Sequence, residues 1–414
     1  MAYTIDANIS QRISQLRTIP AVQKGYDFVE ANAEQVLEQQ LQLVLVEAPT
    51  FEEAERAQVF AEMLRAEGLD NVQIDRHGNT FGVRKGAGKG PTILLEGHLD
   101  TVFPKGTVKE IVRKNGRIYC PGINDDTHGC VNVVGVLRAM NHAGIETDGD
   151  VIFLGTVQEE GMGGMRGLEY FMKDHPEVGG SISIDGSGMD GIVYEATGMR
   201  TLAVNFHGIG GHAMGAFGLV ANPLHAAARA VAKIADLPVP ANPRTTYAVS
   251  NFHAGNDAGI HAIVKECTIK INFRSNGQKE LEALEAEIKR CIDEACKEET
   301  ARWGKDTITY DYVDYVDNRA GTQSNRAPIV QAAFSVIQSL GYNPVLRQGG
   351  STNASVPVTL GIPGVCLGRG GSEGGVHTVD EWYDPTDAYK GLQAIYLLTV
   401  LLAGVKGECP TILV

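Results

Sequence analysis

The sequence predicts an α/β protein: a mixed sheet with helices on both faces, interrupted by an inserted ferredoxin-like α+β domain. Three observations predict it. Strand-length apolar runs alternate with helical patterns in the first half and again near the C-terminal end. Between residues 198 and 316 the order changes to β-α-β-β-α-β, the split βαβ signature. Carboxylates and imidazoles fall just beyond the apolar runs, where open α/β sheets gather their functional groups.

The first ninety residues show helical periodicity, including FEEAERAQVFAEMLRAEGL closed by Gly68, then short strands at Val72 to Ile74 and Thr80 to Val83. A strand follows at Thr92 to Glu96, then a Gly/Asp-rich loop from Pro121 to Gly129 and a helix through VNVVGVLRAMNHAG. Next come a strand at Asp150 to Thr156, a helix near Gly164 to Lys173 and the strand SISID ending at Asp185. The insert reads MRTLAVNFHG (strand), NPLHAAARAVAKIADL (helix, capped by Asn222 with Pro223 at its first position), strands at Thr245 to His253 and Ala262 to Arg274, the helix KELEALEAEIKRCIDEACKEE, and a strand at Thr307 to Val313. The α/β pattern then resumes with a helix at Ala327 to Leu340, strands at Asn343 to Leu346 and Val365 to Leu367, and a final helix opened by Asp384 and Pro385. The expected domains are residues 1–197 with 317–414, and the insert 198–316.

A chain of 414 residues suits two or three domains at about 150 residues each. Its net charge of -14 argues against nucleic acid or an anionic membrane as partner. The longest apolar run, AIYLLTVLLAGV, is too short to span a bilayer and reads as a buried helix. The N-terminus lacks the basic start and apolar core of a signal peptide, and seven cysteines without CxxC pairs fit reduced thiols; both point to a cytoplasmic protein. Cys291 and Cys296 fall in a helical pattern and are read as packing residues.

The segment LLEGHLDTVFP ends an apolar run on His98 and Asp100. With a strand period of two, both project from one face, and a metal-bound histidine commonly gives its other ring nitrogen to a carboxylate. Four other places supply similar groups: Asp125 and Asp126 in PGINDDTHG, Glu159 and Glu160 in GTVQEEGMGG, Asp185 in SIDGSG, and His377 in GGVHTVDEW. A donor set of imidazoles and carboxylates without thiolates suits zinc, cobalt or manganese.

Taken in order, GHLDTV, PGINDD, EEG, SIDG, GGHA and VHT resemble the co-catalytic zinc exopeptidases that include peptidase T, glutamate carboxypeptidase, acetylornithine deacetylase and aminoacylase. The resemblance covers nearly the whole chain. It implies a catalytic domain carrying two zinc ions per subunit, with His98 and Asp185 on one, Glu160 and His377 on the other, and Asp125 bridging them. It further implies that Asp100 supports His98, that Glu159 is the unligated general base, and that the insert is a lid and dimerisation domain. His212, in GIGGHAMGAFG, would reach the partner subunit's site in a homodimer and stabilise the tetrahedral oxyanion, while Arg274 in NFRS would take a substrate carboxylate.

Three departures from the family pattern face the substrate. His261 in GIHAIV replaces an asparagine, Asn353 in GGSTNAS replaces an aspartate, and Thr127 and His128 follow the acidic pair where a lysine is usual. The expected activity is hydrolysis of a peptide or N-acyl amide in a small molecule or short peptide bearing a carboxylate, by metal-activated water. Two alternatives are an aminohydrolase acting on a small aromatic amino acid, with His261 and Asn353 gripping non-peptide groups, and a non-catalytic binding module on the same scaffold.

Overall fold

The apolar runs at Thr92, Val151, Val178 and Gly364 become four adjacent parallel strands at the centre of an eight-stranded sheet. The order across the sheet is Gln73–Ile74, Thr80–Arg84, Val151–Thr156, Thr92–His98, Val178–Gly186, Gly364–Gly368, Gly191–Val193 and Val345–Arg347. Antiparallel pairings of Thr80–Arg84 with Val151–Thr156, and of Gly191–Val193 with Gly364–Gly368, make the sheet mixed. The computed structural model describes residues 3–303 and 307–413, and they form two compact units, Met1–Ala196 with Thr322–Val414, and Thr197–Gly321.

Strand periodicity divides the larger unit's core between two faces. Ile93, Leu95, Val151 and Phe153 join one buried cluster with Val133 and Leu137 of the helix Thr127–Ala143 and with Leu398 and Leu401 of the helix Tyr389–Ala403. The intervening Leu94, Ile152 and Leu154 point the other way, onto Leu168 and Phe171 of the helix Arg166–Asp174. The run that begins at Ala394 is buried throughout, most of it within the helix Tyr389–Ala403, and no described helix is long and apolar enough to cross a membrane. All seven cysteines are free and buried, Cys291 and Cys296 within the smaller unit's core.

The final helix starts later than its sequence signals suggest. Pro385 opens a turn closed by the Ala388 amide, and Asp387 takes φ 57°, so regular helix begins only at Tyr389. Conversely, Thr127–Ala143 begins earlier than its apolar run, because the Asp126 carboxylate accepts the Gly129 amide and caps it.

The smaller unit carries a four-stranded antiparallel sheet in the order Thr245–Ala254, Glu266–Ser275, Gly198–His207, Thr309–Asn318, with helices Pro223–Ala235 and Gln278–Trp303. Phe206, Ile269, Ile271 and Phe273 meet Ala227, Ala230, Leu281 and Ile288 in its core. Numbering these strands along the chain gives the order 4-1-3-2 expected of a ferredoxin-like unit.

One glycine fixes how closely the capped helix approaches the sheet. A Cβ at Gly129 would lie 2.2 Å from Asp126 Oδ1 and 2.2 Å from the Ile184 carbonyl oxygen, a backbone atom that cannot swing away. Gly129→Ala is therefore expected to lower the denaturation midpoint, with an overpacking cost of about 1–3 kcal/mol. Chemical denaturation checks this, and an unchanged midpoint would show that the helix has room to retreat.

Candidate metal centre

Each of the four central strands delivers charged groups at or just beyond its C-terminal end, and the loop before the helix contributes the acidic pair. His98 ends Thr92–His98 and is 1% exposed. Its Nδ1 lies 3.0 Å from the Asp100 carbonyl oxygen and 3.4 Å from the Asp100 carboxylate, which turns Nε2 toward Asp125 Oδ1 at 3.1 Å and Asp185 Oδ1 at 3.7 Å. The other Asp125 oxygen, Oδ2, faces His377 Nε2 at 3.1 Å, and the same imidazole nitrogen lies 2.9 Å from Glu160 Oε1. Asp125 thus stands between two imidazoles, one at each oxygen.

The Asp100 carboxylate is fully buried and accepts the backbone amides of Glu159 at 3.1 Å and Glu160 at 3.0 Å, together with the Thr50 hydroxyl at 2.8 Å. It couples the end of one strand to the turn after the next. Asp126 faces inward: one oxygen accepts the His98 amide at 2.9 Å, and the other accepts the Gly129 amide and Arg369 Nε. Glu381 clamps the preceding loop by accepting the amides of Gly122, Asn124 and Asp125.

The electrostatics follow from crowding. Burial holds the Glu159 carboxyl well above its usual range, and the charges of Asp185, Glu160 and Asp100 add to this while His98 opposes it. Burial disfavours protonated His98, yet hydrogen bonds to Asp100, Asp125 and Asp185 outweigh it and raise the imidazole well above its ordinary value. Hydrogen bonds to Asp125 and Glu160 lift His377 to about 10.

In the smaller unit, the short strand Gly211–His212 pairs with Ala262–Ile263, and the rings of His212 and His261 approach to 5.7 Å between centroids. Backbone amides of Met214 and Gly215 point at His212 Nδ1, making that nitrogen the acceptor and leaving the proton on Nε2. Arg274 is exposed near the C-terminal end of Glu266–Ser275, far along that strand from the His261 hairpin, with Nε on Asn272 Oδ1 at 3.1 Å. The structure therefore groups His212 with His261 and leaves Arg274 apart from them.

Residues 94–400 match the family described as Peptidase family M20/M25/M40. The chain belongs to this family. It is 28% identical over 377 residues, 89% of this chain and 93% of the relative, to a Pyrococcus abyssi protein named as a LysW-lysine/LysW-ornithine hydrolase. Its fold is that of the aminopeptidase PepT from Bacillus cereus (TM-score 0.72, 23% identity, 89% of this chain and 98% of the other). It is also that of Bacillus subtilis YXEP, described as a dinuclear metal-binding M20 peptidase (TM-score 0.67, 14% identity, 90% of this chain and 99% of the other).

The M20 chain is a metal-dependent hydrolase of amide bonds, and its residues fit a divalent ion. Ligand atoms of His98, Asp125 and Glu160 lie within 4.8 Å of one another, as do those of Asp125, Asp126 and Asp185. Bonds of about 2.0–2.2 Å in a tetrahedral shell put neighbouring ligand atoms about 3.3–3.6 Å apart. The imidazole-to-carboxylate separations of 2.9–3.7 Å bracket that range.

Four residues differ from the sequence reading. Thr127 and His128, expected to face the substrate, are both buried, Thr127 Oγ1 donating to the Gly122 carbonyl oxygen at 2.6 Å and His128 Nε2 lying 3.3 Å from the Tyr383 hydroxyl. Asn353, expected on the substrate side, is 1% exposed, and its Nδ2 donates to Glu96 Oε2 at 2.9 Å and Thr156 Oγ1 at 2.7 Å. It belongs to a polar cluster inside the sheet, because Glu96 lies mid-strand and needs donors there. Arg369 stands outside the residues the sequence motifs single out. Its guanidinium, 2% exposed, reaches Asp125, Asp126 and Asp185. The signal was present: VCLGR places Arg369 one residue after its strand, as LLEGH places His98 at the end of another.

Burial raises the Glu96 carboxyl from 4.5 to about 7, against hydrogen bonds from Ser183 and Asn353. Between those values the native state holds one more proton than the unfolded chain, so this group's contribution to stability falls as pH rises from 4.5 toward about 7. In metal-free protein, Glu96→Gln is expected to flatten the fall in denaturation midpoint between those pH values. An equally steep fall in the variant would assign the slope to another group.

Proposed function

We propose that the chain hydrolyses an amide bond in a small, carboxylate-bearing substrate, with His98, Asp125, Glu160, Asp185 and His377 as zinc ligands and Glu159 as general base. The observation that carries this is Asp125 standing between His98 and His377 with a carboxylate, Asp185 or Glu160, beside each imidazole. A zinc ion held by these residues would supply an activated water, its pKa lowered from 15.7 to about 7, and polarisation of the substrate carbonyl. The chain's own residues do the rest. Asp100 fixes the His98 ring and, through two backbone amides, the turn that carries Glu159. Glu159 takes the proton from the attacking water and passes it to the leaving amine, and its raised proton affinity suits that second step.

His212 presents its Nε2 proton as a donor for the tetrahedral oxyanion, acting in the partner subunit's site of a homodimer. Exposed Met214, Phe217 and Ile260 close in sequence to His212 and His261 support a surface that another subunit covers. Arg274 takes the substrate carboxylate, its planar guanidinium suiting a bidentate pair. Manganese or cobalt could replace zinc in this donor set. A cytoplasmic setting agrees with seven free cysteines.

A second reading, removal of an amino group from a small aromatic amino acid, now rests on His261 alone, since Asn353 faces inward. Assaying metal-loaded protein against dipeptides, tripeptides, N-acyl amino acids and aromatic amino acids separates the two: released amine from amides supports the first, and ammonia from aromatic amino acids the second.

Glu159→Gln is expected to retain its metal by elemental analysis while losing about 10²–10⁴-fold in turnover. Loss of metal, or full activity, would move the base elsewhere. Mixing inactive His212→Ala with inactive Glu159→Gln should restore activity through hybrid dimers. No recovery after verified subunit exchange, or a monomer in sedimentation, would remove the cross-subunit role of His212.

A further inference from the structure

The two imidazole positions beside Asp125 are not electrostatically alike. At the His377 side, Asp125 Oδ2 and Glu160 Oε1 face an imidazole. At the His98 side, the equivalent carboxylate oxygens already hold a cation: a single nitrogen, Arg369 Nη2, lies 2.8 Å from Asp125 Oδ1 and 2.6 Å from Asp185 Oδ1. Those are the two oxygens that His98 Nε2 approaches at 3.1 and 3.7 Å. The remainder of the guanidinium is fixed. Nε is 2.6 Å from Asp126 Oδ1, and Nη1 is 3.5 Å from Glu373 Oε2.

The backbone allows little retreat. The Arg369 amide donates to the Gly186 carbonyl oxygen, and its own carbonyl accepts from Asn132 Nδ2. A Cβ on Gly391 would lie 2.5 Å from that Arg369 oxygen, so helix and loop are in close contact here. An imidazole can give up its proton to receive a metal ion, but a guanidinium stays charged at any ordinary pH.

Resting on the proposed metal reading, we infer that Arg369 is a built-in cation that makes the two metal positions unequal. The position formed by Asp125 Oδ2, Glu160 and His377 fills first and tightly. The position formed by His98, Asp125 Oδ1 and Asp185 fills second and weakly, because an ion there shares two carboxylate oxygens with a permanent positive charge. Arg369 also holds Asp125 and Asp185 in their ligating orientation before any metal arrives, so the site need not reorganise when charge is added.

Titration of the metal-free protein with Mn²⁺, followed by calorimetry and electron paramagnetic resonance, tests this without an activity readout. The wild type is expected to take one ion per chain tightly, with the spectrum of an isolated Mn²⁺, and a second only at concentrations at least ~10-fold higher, with a spin-coupled spectrum; a tenfold difference is well within what neighbouring groups do to metal affinity. Arg369→Met should bring the two steps together, and Arg369→Lys should keep them apart.

Two equally tight ions in the wild type would overturn the inference, as would a second step that weakens in Arg369→Met. If Arg369→Met fails to fold, the wild-type steps together with Arg369→Lys still decide it. No Mn²⁺ binding at all would sink the metal reading itself, and tight first-step binding lost in Glu160→Gln would locate the first ion.

Discussion

The constraint on which the rest of the larger unit depends is the amount of negative charge collected at one edge of its sheet. Asp100, Asp126, Glu159, Glu160 and Glu381 are buried, with Asp125 and Asp185 nearly so, all around the ends of neighbouring strands. An isolated carboxylate cannot be carried into such a place at tolerable cost, and a cluster adds mutual repulsion. Every feature nearby supplies compensation: imidazoles at His98 and His377, a guanidinium at Arg369, backbone amides on Asp100 and Glu381, and a helix start on Asp126. A divalent cation is the compensation this geometry is shaped to receive.

The ways of compensating carry different consequences. Backbone amides hold a carboxylate in place and leave it unavailable, which is how Asp100 and Glu381 become struts rather than ligands. Imidazoles compensate reversibly, since their raised proton affinity is released when a metal takes the proton's place. A guanidinium compensates permanently. The distribution of these three kinds of partner, rather than the carboxylates themselves, determines which oxygens remain open to chemistry.

How far the sequence reveals this depends on how local each signal is. Parallel strands buried on both faces read as continuous apolar runs, and a charged residue after such a run is placed at the sheet edge by the strand alone; His98, Asp185 and the Glu159–Glu160 pair were legible for that reason. Arg369 obeys the same rule but is not legible, because an arginine at a strand end looks like surface until three aspartates from elsewhere in the chain close around it. Asn353 failed in the opposite direction. A polar residue in a Gly/Ser-rich loop reads as a contact with solvent or ligand, and only the mid-strand carboxylate of Glu96 explains why it turns inward. The late start of the final helix depends on one left-handed residue, Asp387, which helix-start signals at Asp384 and Pro385 cannot convey.

The division of chemistry between the two units follows from the same physics. Residues that must manage concentrated charge are best held in rigid, enclosed positions, and in the larger unit all but the half-exposed His377 lie at or beside strands whose side chains are almost wholly enclosed. His212, His261 and Arg274 carry no such load and are all exposed, on a hairpin and near a strand end of the smaller unit. Exchanging a side chain there leaves the balance of buried charge untouched, whereas a change at Asp100 or Asp126 would strand backbone amides and an imidazole together. His261 can therefore be exchanged without disturbing the buried charge, whereas no residue around Asp125 can.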